Sequence, residues 1–362
     1  MCLRPWHLVA VALLASPALA SAAEPAKPLV LSATERTRII EAVLVQVRAR
    51  HHSPELGELA HRLLRARLKR GDYDAITDPE RFAEVLTVHL EQAGQDEHFV
   101  VIHSAKPVPT NVPLPWEPAP AHIEAWRAER EAIHTRQARF DARGITRVER
   151  LEGNVGYLRI SRFPDEKLAR DATAAAMTLL SSTDALIVDL RGNGGGDSSL
   201  VAHYLAWLLP APVRVRDTVW RGRETTSLHT PTEPLAGRYG DKEVYLLTDK
   251  DTFSSAELFA YDLQARKRAR VIGEKTRGGA NTGVVLPVDE HFLVGVPMGR
   301  TVHAVTRANW EGTGVTPDVA VPASEAVRTA YAAALDTLVK QATEPEQLAE
   351  LQSARKSLDP PR

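Results

Sequence analysis

The sequence predicts an α/β protein with a mixed sheet, preceded by a small all-α segment, and three observations carry that prediction. From Gly144 onward, apolar strand-like runs alternate with amphipathic helical stretches, the pattern of a sheet with helical crossovers. Before residue 105, three helices are delimited by caps and stops. Between the two lies a proline-rich stretch, Pro107, Pro109, Pro113, Pro115, Pro118 and Pro120, which marks a boundary.

Each element follows from local chemistry. Ser32 with Glu35 reads as a capping box ahead of Ile39, Ile40, Val43 and Val47 at helical spacing. Ser53-Pro54 opens a second helix carrying Leu56, Leu59, Leu63, Leu64 and Leu68, stopped by Gly71. Asp78-Pro79 opens a third with Phe82, Val85, Leu86 and Leu90, stopped by Gly94. A short strand over Phe99 to Ile102 closes this bundle, and a charged helix spans about Ala121 to Ala142. Then come strands at 156–160, 184–190, 244–247 and 270–273, with helices at 165–180, 198–209 and 255–265 between them. Residues 283–296 and 300–305 read as β-rich edges, 323–340 as a last helix, and the polar tail as loose. The expected organisation is a signal peptide at 1–23, a helical domain at 28–105, a linker and charged helix at 106–143, an α/β domain at 144–342 and a tail at 343–362.

Bulk properties narrow the function. The chain has 362 residues, 44% hydrophobic and 25% charged, which excludes a disordered or collagen-like polypeptide. Its 45 basic and 46 acidic side chains give a net charge of −1, no footprint for nucleic acid or an anionic membrane surface. Arg4 and His7, an apolar run from Leu8 to Ala20 and small residues at Ala18 to Ala22 read as an export signal, too short to span a membrane. The single cysteine, Cys2, lies in that leader, so a soluble exported protein without disulfides is expected.

The chemistry concentrates in two places. Behind the strand ending at Asp189-Leu190 stands Arg191-Gly192-Asn193-Gly194-Gly195-Gly196, a glycine-dense turn whose backbone N–H groups suit an anion. Phe253-Ser254-Ser255-Ala256-Glu257 starts a helix after the next parallel strand. Ser254-x-x-Glu257 is a capping-box pattern, and serine caps helices far more often than it attacks carbonyls. Its place at the carboxyl edge of the sheet, beside the glycine turn, shifts the reading toward acyl transfer with an oxyanion site. A serine nucleophile needs a base. Of 13 histidines, His98 stands out in Asp96-Glu97-His98, with His103, His229, His291 and His303 as competitors and Lys275 as a lysine alternative. Nucleotide loops, His-Glu-x-x-His, Cys-x-x-Cys and calcium loops do not occur, so neither a cofactor nor a metal is expected.

Five ordered strings make the chain resemble the tail-specific (C-terminal-processing) serine peptidase family over about Leu90 to Val321. They are Asn154 to Ile160, Asp189 to Gly196, Phe253 to Glu257, Ile272 to Ala280 and Trp310 to Asp318. The chain is similar to the branch of bacterial relatives of interphotoreceptor retinoid-binding protein, and more distantly to tricorn protease. The resemblance implies a ClpP/crotonase-like core and hydrolysis of a polypeptide substrate. It also implies Ser254 as nucleophile, His98 as base and Glu311 as the carboxylate orienting it. Oxyanion donors would come from Ser255 and the turn glycines Gly194 and Gly195, chiefly Gly195. Where other members use a Ser/Lys dyad, the matching position is Gly279, and no PDZ segment is recognisable. Two alternatives stand beside the peptidase: a non-catalytic binder of hydrophobic ligands, and an esterase with the same triad.

Overall fold

The computed structural model describes residues 30–233 and 237–358, so the expected signal peptide lies outside the described residues. The chain divides into two compact units. The first holds residues 30–134, 218–225 and 281–300, and the second the remaining described residues.

In the first unit, helices α1 (Ala33–Arg50), α2 (Pro54–Lys69) and α3 (Pro79–Gly94) form where the caps predict. Both halves of the Ser32/Glu35 box are present, and the Ser53 and Asp78 side chains accept from Leu56 and Arg81 N–H groups. The chain leaves α3 through Gln95 at φ 53°. Gly94 is required there: a Cβ would lie 2.1 Å from the Phe99 ring. Phe99 seals this core with Ile40, Val43, Leu86 and Leu90, all at most 1% exposed, and each such side chain contributes roughly 1.5–3 kcal/mol. Strand β1 (Val100–His103) pairs antiparallel with the 292–295 stretch of a long strand (Phe292–His303), whose other edge takes the strand Thr282–Pro287. The Thr87 hydroxyl on α3 accepts from the Val101 N–H at 2.8 Å, fixing the 95–101 segment to the helices.

The second unit is built on a six-stranded sheet. Strands β2 (Ile145–Leu151) and β3 (Val155–Ile160) are antiparallel, and β4 (Ala185–Asp189) runs parallel to β3. The next strands are Glu243–Thr248, Arg270–Gly273 and the two-residue Val319–Ala320, each parallel to its predecessor. Three crossover helices, Glu166–Leu180, Ser198–Leu208 and Ser255–Ala265, cover one face with an apolar layer that includes Leu186, Leu205 and Phe259. The helix Ala326–Gln341 and a further helix, Pro345–Ser357, cover the other. This is the mixed α/β fold class that the sequence predicts. It departs at the end of the chain: the tail expected to be loose is helical as far as Ser357. Leu351 and Ala354 pack on the sheet beside Leu335, and Gly153 leaves room for them. Only two of its thirteen residues, Leu351 and Ala354, are buried, too sparse a stripe to register as a buried helix face.

Asp189, at the end of β4, is fully buried and accepts from Tyr157 Oη (2.6 Å), from Arg191 Nε and Nη2 (2.8 and 2.6 Å) and from Arg159 (3.2 Å). Burial alone pushes its carboxyl up, but the bonds from Arg191 and Tyr157 outweigh it and hold the group below its ordinary 3.8. A carboxyl depressed on folding contributes stability above its ordinary value, lost as pH falls through the lowered folded value. Asp189→Asn is therefore expected to cost about 3 kcal/mol at neutral pH, because it leaves the Arg191 guanidinium uncompensated. Denaturant titrations should show that gap narrowing below pH 4. A constant gap across that range would refute the ionic account.

Candidate active site

The strands β4 and Glu243–Thr248 are parallel neighbours, with Asp189 opposite Leu247, so the turns that follow them leave the sheet on the same edge. Those turns are stitched together. Phe253 N–H donates to the Asn193 carbonyl (2.9 Å), Thr252 Oγ1 to the Leu190 carbonyl (3.1 Å), and Gly192 N–H to Asp249 Oδ1 (3.0 Å). The Ser255 hydroxyl donates to the Gly196 carbonyl at 2.7 Å.

Two glycines in the turn are obligatory. Gly196 has φ 134°, and a Cβ would fall 1.9 Å from the Phe163 carbonyl oxygen; Gly195, at φ 95°, would put one 2.8 Å from Ser254 Cβ and 2.9 Å from Ser255 N. The turn thus lies directly against the start of the serine helix. The sequence expectation gave Gly195 an oxyanion N–H, but that group donates to Asn193 Oδ1 at 2.8 Å. Gly195 contributes closeness of approach, and Asn193, anchored by its amide to the Ile160 carbonyl (3.0 Å), is a turn organiser that the glycine count concealed.

Ser254 stands at φ 54°, ψ −120°, a conformation that L-residues rarely adopt. Its carbonyl starts the helix by accepting from Leu258 N–H (3.0 Å), and its N–H donates to Glu257 Oε2 (2.9 Å). Glu257 is more than half of a capping box. It is fully buried, and its carboxylate also accepts from Thr276 Oγ1 (2.5 Å), Gly278 N (2.7 Å) and Gly279 N (2.7 Å). Burial pushes its carboxyl above the ordinary 4.5, against the pull of those bonds. The same loop continues to Ala280, whose N–H donates to Glu311 Oε2 at 2.7 Å, while the Trp310 indole donates to the Gly279 carbonyl at 2.8 Å. One chain of contacts therefore links Ser254 through Glu257 and the 276–280 loop to Glu311. Lys275, in that loop, is exposed.

His98 belongs to the first unit. Its backbone N–H donates to Asp96 Oδ1 (2.8 Å), and its Nδ1 lies 3.4 Å from the same oxygen. Asp96 is 2% exposed and also accepts from the Asn281 amide at 2.9 Å. Burial raises its carboxyl, but the bonds from His98 and Asn281 prevail and keep it below the usual carboxylate range. Asp96 is thus an acid beside the imidazole, signalled in sequence only by its two-residue spacing from His98. Among the competing histidines, His303 is fully buried and bonded to Asp262 (3.0 Å), His291 Nδ1 faces the Ser104 carbonyl (2.8 Å), and His229 is exposed.

Comparison with known proteins converges on the same stretch. Residues 154–321 match the sequence profile of Peptidase family S41. A carboxy-terminal-processing protease of Bartonella bacilliformis is 28% identical over 185 residues, 48% of this chain and 40% of that protein. A carboxyl-terminal-processing protease of a Synechocystis species is 31% identical over 125 residues, 34% and 28% of the two chains. The chain thus spans well under half the length of these relatives. Two solved structures share the fold: a lipoprotein from Streptococcus agalactiae (TM-score 0.54, 14% identity, 83% of this chain and 96% of that one) and tricorn protease (TM-score 0.50, 13% identity, 90% and 37%). Over residues 154–321, the stretch that carries the serine turn, the glycine turn and Glu311, the sequence of this chain is similar to that of Peptidase family S41.

Proposed function

We propose that this chain is an exported serine peptidase that cleaves polypeptides through an acyl-enzyme, with Ser254 as nucleophile, His98 as general base and Glu311 as the carboxylate that holds the imidazolium. The observation that carries the reading is Ser254 itself, a non-glycine residue at φ 54° at the N-cap of a helix, pressed against a glycine turn. Such strain persists only where the surroundings over-determine it, and here it presents the hydroxyl at the carboxyl edge of the sheet. In the reaction, His98 accepts the Ser254 proton as Oγ attacks the carbonyl carbon, then returns it to the leaving amine. Water attacks the resulting ester by the same base. The N–H groups of Ser255 and Gly194 stabilise the oxyanion, one such donor contributing about 3 kcal/mol. The dipole of the helix beginning at Ser255 adds to this. Export rests on the leader at 1–23, and no helix among the described residues is long and apolar enough to cross a membrane.

The test is covalent. A fluorophosphonate probe should label the protein stoichiometrically at Ser254, peptide mapping should recover the adduct on the segment 252–258, and His98→Ala should slow labelling by about 10³-fold or more. Labelling elsewhere, or at an unchanged rate in His98→Ala, would overturn the assignment. Turnover of esters but never of peptides would make the protein an esterase.

A further inference from the structure

The first unit holds a second constellation that the proposed reaction does not use. His51, at the C-terminal cap of α1, is fully buried; its ring stacks on Phe99 (centroids 5.2 Å apart, planes 9° apart) and lies 4.4 Å from the ring of His52. Its Nδ1 faces the Ser53 carbonyl at 2.9 Å and the Ser53 N–H at a longer 3.2 Å, and the shorter contact favours a proton on Nδ1. With the proton there, Nε2 keeps its lone pair, and that nitrogen has no hydrogen-bond partner among the described residues. An orphaned acceptor this deep in a core is costly unless something occupies it. Donor atoms of His51, His52 and Asp96 all lie within 4.8 Å of one another, with His52 Nε2 3.9 Å from Asp96 Oδ2.

We propose that His51, His52 and Asp96 form a binding site for a divalent transition-metal ion of the zinc class. The donor set is the one such ions take, two imidazoles and a carboxylate, with water completing a tetrahedron. The outer contacts are also of the right kind. A backbone carbonyl orients the His51 ring, and the Asn281 amide donates to Asp96 Oδ2 (2.9 Å); the same amide lies 3.2 Å from His52 Nε2, and an ion that takes that lone pair displaces it. Bonds of about 2.0–2.2 Å place tetrahedral donors roughly 3.3 Å apart, so the cluster must contract on the ion. His52, whose side chain is 12% exposed, is the member with room to rotate and the side from which an ion arrives. Asp96 is shared between this cluster and His98. Bound metal draws the carboxylate away from the imidazole and so inhibits hydrolysis; this consequence rests on the triad reading, whereas binding itself does not.

The experiment uses the folded protein stripped of metal. Calorimetric titration with Zn²⁺ should show one ion per chain at micromolar or tighter affinity, and Co²⁺ should develop the intense visible bands of a tetrahedral site. His52→Gln should weaken both by about 100-fold or more with an unchanged circular dichroism spectrum, and His51→Phe, which keeps the stack on Phe99, should do the same. Zn²⁺ should suppress peptide hydrolysis reversibly in the parent and lose that effect in His52→Gln. Absence of binding below millimolar metal, or equal affinity in both variants, overturns the proposal. Metal binding in a protein that hydrolyses neither peptides nor esters would support the site and sink the triad.

Discussion

Ser254→Ala is expected to lower kcat/KM for peptide hydrolysis by about 10⁶-fold and to abolish fluorophosphonate labelling, while Ser254→Gly loses the same activity and gains stability. The two substitutions separate chemistry from backbone strain. Alanine removes Oγ but keeps a Cβ, so the residue at φ 54°, ψ −120° still carries the cost of a sparsely populated conformation, of order 1–3 kcal/mol. Glycine removes that cost and adds a smaller one, because a flexible residue loses more entropy on folding, about 0.4–1 kcal/mol. The net expectation is about 1 kcal/mol in favour of Ser254→Gly over the parent, read as a shift in denaturation midpoint. Stability bought back by deleting the nucleophile is what a strained catalytic turn implies. A Ser254→Gly protein less stable than Ser254→Ala would remove the strain argument, and hydrolysis retained in Ser254→Ala would remove Ser254 itself.

The sequence discloses unevenly, for physical reasons. Caps and stops are local chemistry, so Ser32, Pro54, Pro79 and Gly94 mark helix ends that the fold reproduces nearly to the residue. Strand alternation with amphipathic helices reveals the parallel sheet and puts the glycine turn and the serine turn on one edge. The short strands Arg214–Trp220 and Thr226–His229 escape because Arg214, Arg216, Asp217, Thr226 and Ser227 give no clean alternation. Roles set by tertiary hydrogen bonds escape altogether. Nothing local says that Asn193 claims the Gly195 N–H, that Glu257 gathers four donors, or that Asp96 sits beside His98 in a buried pocket of polar groups. The glycine count and the capping-box pattern are compatible with these roles and with blander ones, because they encode backbone shape and leave the partners unspecified.

Glu257→Gln, a change of one atom, is expected to be among the most damaging substitutions in the second unit. Oε1 accepts from Thr276 Oγ1 and Gly278 N, and Oε2 from Ser254 N and Gly279 N, so every position around the carboxylate is filled by a donor. A glutamine must turn its NH₂ toward one of those pairs, and a backbone N–H lies in each. Donor then faces donor in a site without solvent, at about 1–3 kcal/mol for each group left unmet, so a loss of about 3 kcal/mol or more is expected from denaturation. The catalytic consequence follows from geometry. Glu257 ties Ser254 to the 278–279 backbone, and the adjacent Ala280 holds Glu311. Loosening this loop should therefore reduce kcat and the fluorophosphonate labelling rate by about 10²-fold and leave KM nearly unchanged, as befits a positioning residue. An unchanged denaturation midpoint or an unchanged labelling rate in Glu257→Gln would refute this account of the loop.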